Sequence, residues 1–353
     1  MTKATNKPIT LKELASTLEL SQSTVSRIIN GAAAAHRIAK ETQERVLHAA
    51  ALHGYSANTV ARSLRQKRTF NIGVIVPEIS EGYSTAVLSG IEDELLKNGY
   101  FYFVVSHRHR PELLYGYPRM MLARSVEGII AVDTPLEEEL HVPLVSVSGH
   151  KRRAGVINIE LDHEMAAHLA LSHLKGLGHK RIAFIKGQAF SSDTKQRWQA
   201  IVDVAKSLNI AIDPQLVVQL QGPEPGPGPG LEVTRQLLET KKLFTALFAF
   251  NDVTAIGAIL ALRETGLRVP RDVSVLGFDD VLIASTNHPP LTTIHQPLRA
   301  MGQAAATTLL GLIRDEIPHP HPSAITVYPK LVVRKSTGHV STRTAPLSGD
   351  ADD

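Results

Sequence analysis

A small all-helical head followed by a large α/β body built on parallel sheets is the fold the sequence predicts, and three observations predict it. Residues 10–54 carry apolar side chains at three- and four-residue spacing between helix caps. From Asn71 onward, short apolar runs alternate with amphipathic stretches, the pattern of strands joined by crossover helices. Charge divides at the same place. Residues 1–69 hold eleven Lys and Arg against four Asp and Glu, so the rest of a chain of net charge +4 is weakly acidic. At 353 residues the chain exceeds one core, and 43% hydrophobic residues supply enough material for more than one.

In the head, Thr10 and Glu13 have capping-box spacing, with Leu11, Leu14, Ala15 and Leu18 as the apolar stripe behind them. Glu19-Leu20 makes a turn, and Ser21 caps a second helix that buries Val25, Ile28 and Ile29 and ends at Asn30-Gly31. The stretch "KETQERVLHAAALHG" is a third helix stopped by Gly54. Two short helices joined by a tight turn and braced by a third form a helix-turn-helix. The second helix then turns Gln22, Ser23, Ser26 and Arg27 outward. Gln pairs with adenine, Arg with guanine, and Ser with either or with phosphate, so this face suits a DNA major groove.

"NTVARSLRQKRT", residues 58–69, places Asn58 as a cap, Val60, Ala61 and Leu64 on one face, and four basic residues in its last eight. A helix this short is marginal alone in water. An apolar wedge flanked by Arg and Lys is the chemistry of minor-groove insertion.

The head resembles the lactose-repressor/galactose-repressor (LacI/GalR) family of bacterial transcription regulators. The residues that carry the likeness are Thr24-Val25-Ser26-Arg27 in the recognition helix and Asn58 to Leu64 in the hinge helix. The resemblance implies that Gln22, Ser23 and Arg27 read bases, that Ser21, Thr24, Ser26 and Asn30 contact phosphates, and that Ala61 and Leu64 enter the minor groove. Two features depart from the usual pattern. "GAAAAHRIAKET" makes a longer loop, as in the fructose-repressor-like branch, and Ala39 stands where a Ser cap is usual, at a cost of about 1 kcal/mol.

In the body, candidate strands are "NIGVIV", "FYFVV", "GIIAV", "PLVSV", "RIAFI", "LVVQL", "ALFAF" and "VSVLGF". Helical stretches such as "STAVLSGIEDELLKNG" and "DHEMAAHLALSHLKGLG" separate them. Such sheets bind ligands at the carboxyl ends of their strands. No G-x-G-x-x-G follows the first strand, so a nucleotide cofactor has no support, and no cofactor is expected. There is no Cys, hence neither disulfide nor thiolate chemistry. No secretory signal or membrane span is visible, so a cytoplasmic protein is expected. "GPEPGPGPG" reads as a surface loop, and the tail "STRTAPLSGDADD" as disordered.

The resemblance extends through the body in "IGVIVPEIS", "LGHKRIAFI", "FNDVTAIGAI", "VSVLGFDD", "LTTIHQP" and "YPKLVVRKSTG". It implies a core like a periplasmic sugar-binding protein, two α/β lobes joined by three crossovers with the ligand between them. The implied division is a DNA-binding head at 1–57, a hinge helix and linker at 58–69, and an effector-binding core at 70–340. Lobe 1 would hold about 70–159 and 293–320, lobe 2 about 160–292 and 321–340, with a disordered tail at 341–353. Arg197 and Asp279 stand at the sugar-clamping positions, with Asp193, Asn251 and Gln296 as secondary matches and Tyr83 able to stack on a ring. Basic residues after two strands, Arg108 and Arg110 in "SHRHR" and His150 and Arg152 in "SGHKRR", favour an anionic effector such as a sugar phosphate or sugar acid; exposed surface charge is the rival reading.

The expected protein is therefore a transcriptional regulator, a repressor rather than an enzyme. Its partners would be double-stranded operator DNA, a small sugar-like effector and a second copy of itself in a homodimer, with no membrane. A sugar-acting enzyme and a periplasmic sugar-binding protein are the alternatives. The His pairs at 107/109 and 319/321 lack acidic partners at ligand spacing, so no metal is expected.

Overall fold

The computed structural model describes residues 9–29, 37–55, 68–80, 82–136, 138–149, 153–318 and 321–340. It divides into two compact units, 1–69 and 70–353. Asn58, Ala61 and Leu64 of the expected hinge helix, together with Asn30, His150, Arg152, His319 and the tail, lie outside the described residues.

In the first unit, α1 (Leu11–Thr17), α2 (Gln22–Ile29) and α3 (Lys40–Leu52) enclose a core of Leu14, Ala15, Val25, Ile28, Val46 and Ala50. Thr10 and Glu13 form a capping box at α1, the Thr10 hydroxyl accepting from the Glu13 amide and the Glu13 carboxylate accepting from the Thr10 amide. Ser21 Oγ accepts from the Thr24 amide at the start of α2. At α3 the N-cap is Ala39, which offers no side-chain bond. The turn between α1 and α2 holds Glu19 in the left-handed region.

The second unit is a two-lobed α/β structure. Its elements are β1 (Asn71–Val76), α4 (Gly82–Lys97), β2 (Phe101–Ser106), α5 (Pro111–Leu122), β3 (Gly128–Val132), β4 (Leu144–Val147), β5 (Ile157–Leu161), α6 (His163–Gly176), β6 (Ile182–Lys186), α7 (Ser192–Ser207), β7 (Val217–Gln219), α8 (Gly228–Glu239), β8 (Ala246–Ala249), α9 (Asp252–Glu264), β9 (Ser274–Asp279), α10 (Leu282–Thr286), β10 (Thr292–His295), α11 (Leu298–Ile313), β11 (Ala324–Val327) and β12 (Lys330–Val332). One six-stranded sheet runs β11-β5-β4-β3-β1-β2, the other β12-β10-β9-β8-β6-β7. Every pair is parallel except β10 with β12.

The chain passes between the sheets after β5, after β10 and between β11 and β12. β11 pairs with β5, so the first sheet takes in residues beyond the boundary expected at 320. Apolar strands buried on both faces suit sheets covered by helices on each side. β1, β3, β8 and β9 show this directly, being buried along almost their whole length. In the first lobe α4 and α11 cross where Gly90 meets the Arg299 carbonyl and Gly302 meets the Val87 carbonyl. A methyl at either position would strike backbone, so both glycines are there for close approach.

Candidate functional site

Two surfaces answer to the expected chemistry, one in each unit. In the first, α2 buries Val25 and Ile28 and exposes Gln22, Ser23 and Arg27. Thr24 and Ser26 lie at the margin, half-buried. Ser21 Oγ lies 2.8 Å from both Ser23 Oγ and Thr24 Oγ1, so hydroxyls cluster at the helix N-terminus, where backbone amides favour an anion. The outward face is therefore all donors and acceptors.

In the second unit, the strand ends of the two sheets converge. Asp279 ends β9, with φ +106, and accepts at Oδ1 from Gln296 Nε2 at 2.6 Å. Arg197 lies on α7 behind β6. It donates from Nη2 to Asp193 Oδ2 at 2.9 Å and from Nη1 to the Phe250 carbonyl at 2.5 Å. Its guanidinium lies over the rings of Phe278, at 3.7 Å, and Phe250, at 4.4 Å. Such stacking uses the planar faces of Arg while its edge makes the hydrogen bonds. Gln296, Arg197 and Asp279 are only 2%, 4% and 6% exposed, and Asp193 is buried with them.

Burial dominates the electrostatics. It pushes the Asp279 carboxyl well above its ordinary range, with Arg197 opposing and Asp252 adding to the rise. Asp252 is raised to about 7, again by burial first, although Thr293 Oγ1 and the Val281 amide both donate to it. The Tyr83 hydroxyl is pushed well above the usual tyrosine range, first by burial and then by the nearby charges of Asp193, Asp133 and Asp279. Tyr83 donates to Ser148 Oγ at 2.8 Å. Arg197 Nε, Thr194 Oγ1 and Gln296 Oε1 are among the buried side-chain atoms that make no hydrogen bond among the described residues. Buried polar groups are normally paired, so this donor, this hydroxyl and this acceptor have hydrogen-bonding capacity left for a further partner.

Of the residues expected here, Tyr83, Asp193, Arg197, Asp279 and Gln296 come together. Asn251 is spent differently: its Oδ1 accepts from the Thr254 amide at 2.9 Å and caps α9. Arg108 and Arg110 stand outside. Their side chains are 72% and 62% exposed and face Glu78 and Glu112. A left-handed turn at Arg108 and His109 throws these side chains outward. The basic residue types of "SHRHR" are visible in sequence, whereas their pairing with Glu78 and Glu112 is not.

His107 takes the inward position instead. It is buried, its Nε2 lies 3.1 Å from Thr134 Oγ1, and its Nδ1 accepts from the His109 amide. Thr134 donates onward to the Val132 carbonyl, which fixes His107 as the neutral Nε2-protonated form. Burial, with His109 as a smaller cause, lowers its pKa to about 4. Both ring nitrogens are thus engaged by protein. Among the described residues no His, Asp and Glu group has the geometry of a metal site.

Sequence reading missed Asp133, Ser148, Ser192, Phe250 and Phe278. The first two follow β3 and β4 directly, so the rule that α/β sites gather at strand ends points to them. The two Phe residues read as ordinary strand core, and nothing in their spacing marks them as a bed for Arg197.

Comparison with known proteins gives two family matches. Residues 10–58 match the bacterial regulatory proteins, lacI family, and residues 171–337 match a periplasmic binding protein-like domain. The HTH-type transcriptional repressor PurR of Haemophilus influenzae is 34% identical over 339 residues, covering 93% of this chain and 98% of the relative. PurR of Aliivibrio fischeri is 33% identical over 316 residues, covering 87% and 92%. Among solved structures, the Lac repressor dimer bound to operator and the anti-inducer ONPF superposes with a TM-score of 0.81 at 28% identity, over 94% of this chain and all of that one. The transcriptional regulator CelR in complex with cellobiose gives 0.68 at 26% identity, over 93% and 99%.

Proposed function

We propose, for a chain that belongs to the LacI family of bacterial regulatory proteins and is a DNA-binding transcriptional repressor, a cytoplasmic homodimer whose operator affinity is set by a small polyhydroxylated effector held between the lobes. The observation that carries this reading is the set of unmatched polar atoms buried beside Asp279. Arg197 Nε supplies a donor, Gln296 Oε1 an acceptor and Thr194 either, near a buried carboxyl group suited to paired hydroxyls. Sugars present this mixture of donors and acceptors over a short span. That CelR is seen with cellobiose supports the same class.

A sugar phosphate or sugar acid draws less support. The charge of Arg197 already faces Asp193, and Arg108 and Arg110 face acids at the surface. In the head, Gln22, Ser23 and Arg27 would read bases while Ser21, Thr24 and Ser26 hold phosphates, with Asn30, Asn58, Ala61 and Leu64 contributing as the family resemblance implies. Self-association is supported by the edge strand β2, whose Phe101 is 62% exposed, and by Leu96 at the end of α4. The family's proteins are regulators, and we read no catalytic role into the cleft.

A thermal-shift panel of matched compounds tests the effector: a neutral hexose or disaccharide, its phosphate and its uronic acid. A ligand at 100 times its Kd stabilises by about 2.7 kcal/mol, enough to raise the melting temperature clearly. The reading expects the neutral member to give the larger shift and to change retention of an operator selected from random DNA. A larger shift from the phosphate would return the site to the anionic class. No change in DNA retention with any stabilising ligand would refute the regulatory coupling.

A further inference from the structure

The helix that carries the effector clamp lacks an N-terminal cap of its own. α7 begins at Ser192, its N-cap Ser191 makes no capping side-chain bond, and both Asp193 and Arg197 sit in its first two turns. The first-lobe residue Asp133 reaches this helix end from across the cleft. Asp133 Oδ1 lies 2.6 Å from Ser192 Oγ and 3.3 Å from the Ser192 amide, and Oδ2 accepts from Ser191 Oγ at 3.3 Å. Ser192 Oγ is also 2.6 Å from the carbonyl of Ser148, at the end of β4, and its single proton serves one of these oxygens at a time.

A carboxylate at a helix N-terminus is favourable for two reasons: it satisfies orphan amides, and it complements the positive end of the helix dipole. Both benefits here exist only while the lobes are together. Asp133 itself is held with φ +39, a left-handed conformation that ordinary residues adopt rarely, at the end of a fully buried strand. Two further contacts cross between the lobes nearby. The His109 ring lies 4.1 Å from that of Phe190, and Gly82 packs against the Val281 side chain.

We propose that Asp133 is a positioning residue for the effector site: it caps α7 from the opposite lobe, so the clamp is finished by closure itself, and the closed arrangement is favoured before any effector arrives. The inference concerns closure alone and does not depend on which effector binds.

Because the chain has no Cys, one label on each lobe reports closure directly. Glu112→Cys on α5 and Lys195→Cys on α7, both at exposed positions, would carry spin labels in the full-length protein. Interlobe distance is then measured without ligand or DNA, with small-angle scattering on the unlabelled protein in parallel. Asp133→Ala should lengthen the distance and shift the closed-to-open ratio by about fivefold, the size of losing one helix cap. Asp133→Asn should stay near the parent, because its amide oxygen still accepts from Ser192. Ser192→Ala approaches the same contact from the second lobe and should open it partially, which keeps the test decisive if Asp133→Ala fails to fold. A parent-like distance in both alanine variants overturns the proposal. So does opening by Asp133→Asn as large as by Asp133→Ala, since the effect would then not be capping.

Discussion

Arg197 shows how much one residue can carry and how little of that can be read from its letter. Its type and family position mark it in the sequence; the two Phe rings against its guanidinium, and the Phe250 carbonyl that fixes its edge, come from two separate strand ends, those of β8 and β9. Arg197→Lys keeps the charge but loses the planar stack and the fork. We expect it to bind effector at least tenfold more weakly and to remain folded. Arg197→Ala removes the cation from a buried pair and should also lose about 3–5 kcal/mol of stability, read as a fall in melting temperature. Buried titratable groups add a pH dependence in two opposed directions. His107, lowered to about 4, favours the fold while neutral, so its contribution is present above pH 6.5 and lost as pH falls toward 4. Asp252, raised to about 7, favours the fold while protonated, so its contribution is present below pH 3.8 and lost as pH rises toward 7. Thermal melts across pH 4–8 should show His107→Gln flattening the acid side and Asp252→Asn flattening the neutral side. Parallel curves for parent and variants would deny these groups that role.

Among elements, those with one dominant periodic signal were legible and those that depend on a neighbour were not. Each of the eight apolar runs overlaps a strand, and the two quoted amphipathic stretches overlap helices α4 and α6. Four strands escaped. β5 interrupts its apolar run with Asn158 and Glu160, β10 opens on two Thr, and β11 and β12 are short strands at sheet edges. Thr292 and Thr293 are fully buried because Ser336, Thr337 and Asp252 pair with them, a compensation no local window contains. The caps of the head were legible because capping is local. Thr10 and Glu13 pair as their spacing requires, and Ala39 leaves α3 without a side-chain cap. Ala39→Ser should therefore raise the stability of the head by about 1 kcal/mol and leave the melting of the core unchanged. At α2, exchanging Gln22 and Ser23 should move base preference by about 1–3 kcal/mol at the positions they read. Selection from random DNA distinguishes this from a uniform loss, which would place both residues on phosphates.

At the scale of the molecule, effector and operator meet different units of one chain, so their coupling is thermodynamic before it is structural. If the effector shifts operator affinity by some factor, the operator must shift effector affinity by the same factor. The physical basis proposed here is lobe closure. An effector that fits the unmatched atoms of Arg197, Thr194 and Gln296 would bind the closed lobes better than open ones, and closure would act on the head through residues 58–69, which join it to the core in the chain. The size of the coupling can then be bounded. Because Asp133 and Ser192 already favour closure, the effector has only the remaining open population to recruit. Its leverage on DNA is smaller in the parent than in a variant that starts open. Asp133→Ala should thus weaken effector binding while enlarging the ratio between effector-bound and effector-free operator affinities. Titrating effector with and without saturating operator, at one salt concentration, measures both halves of the cycle in each protein. Equal factors in the two directions with a larger ratio in Asp133→Ala are the expected result. An unchanged ratio would separate lobe closure from DNA binding and leave the hinge segment to carry the coupling by another route.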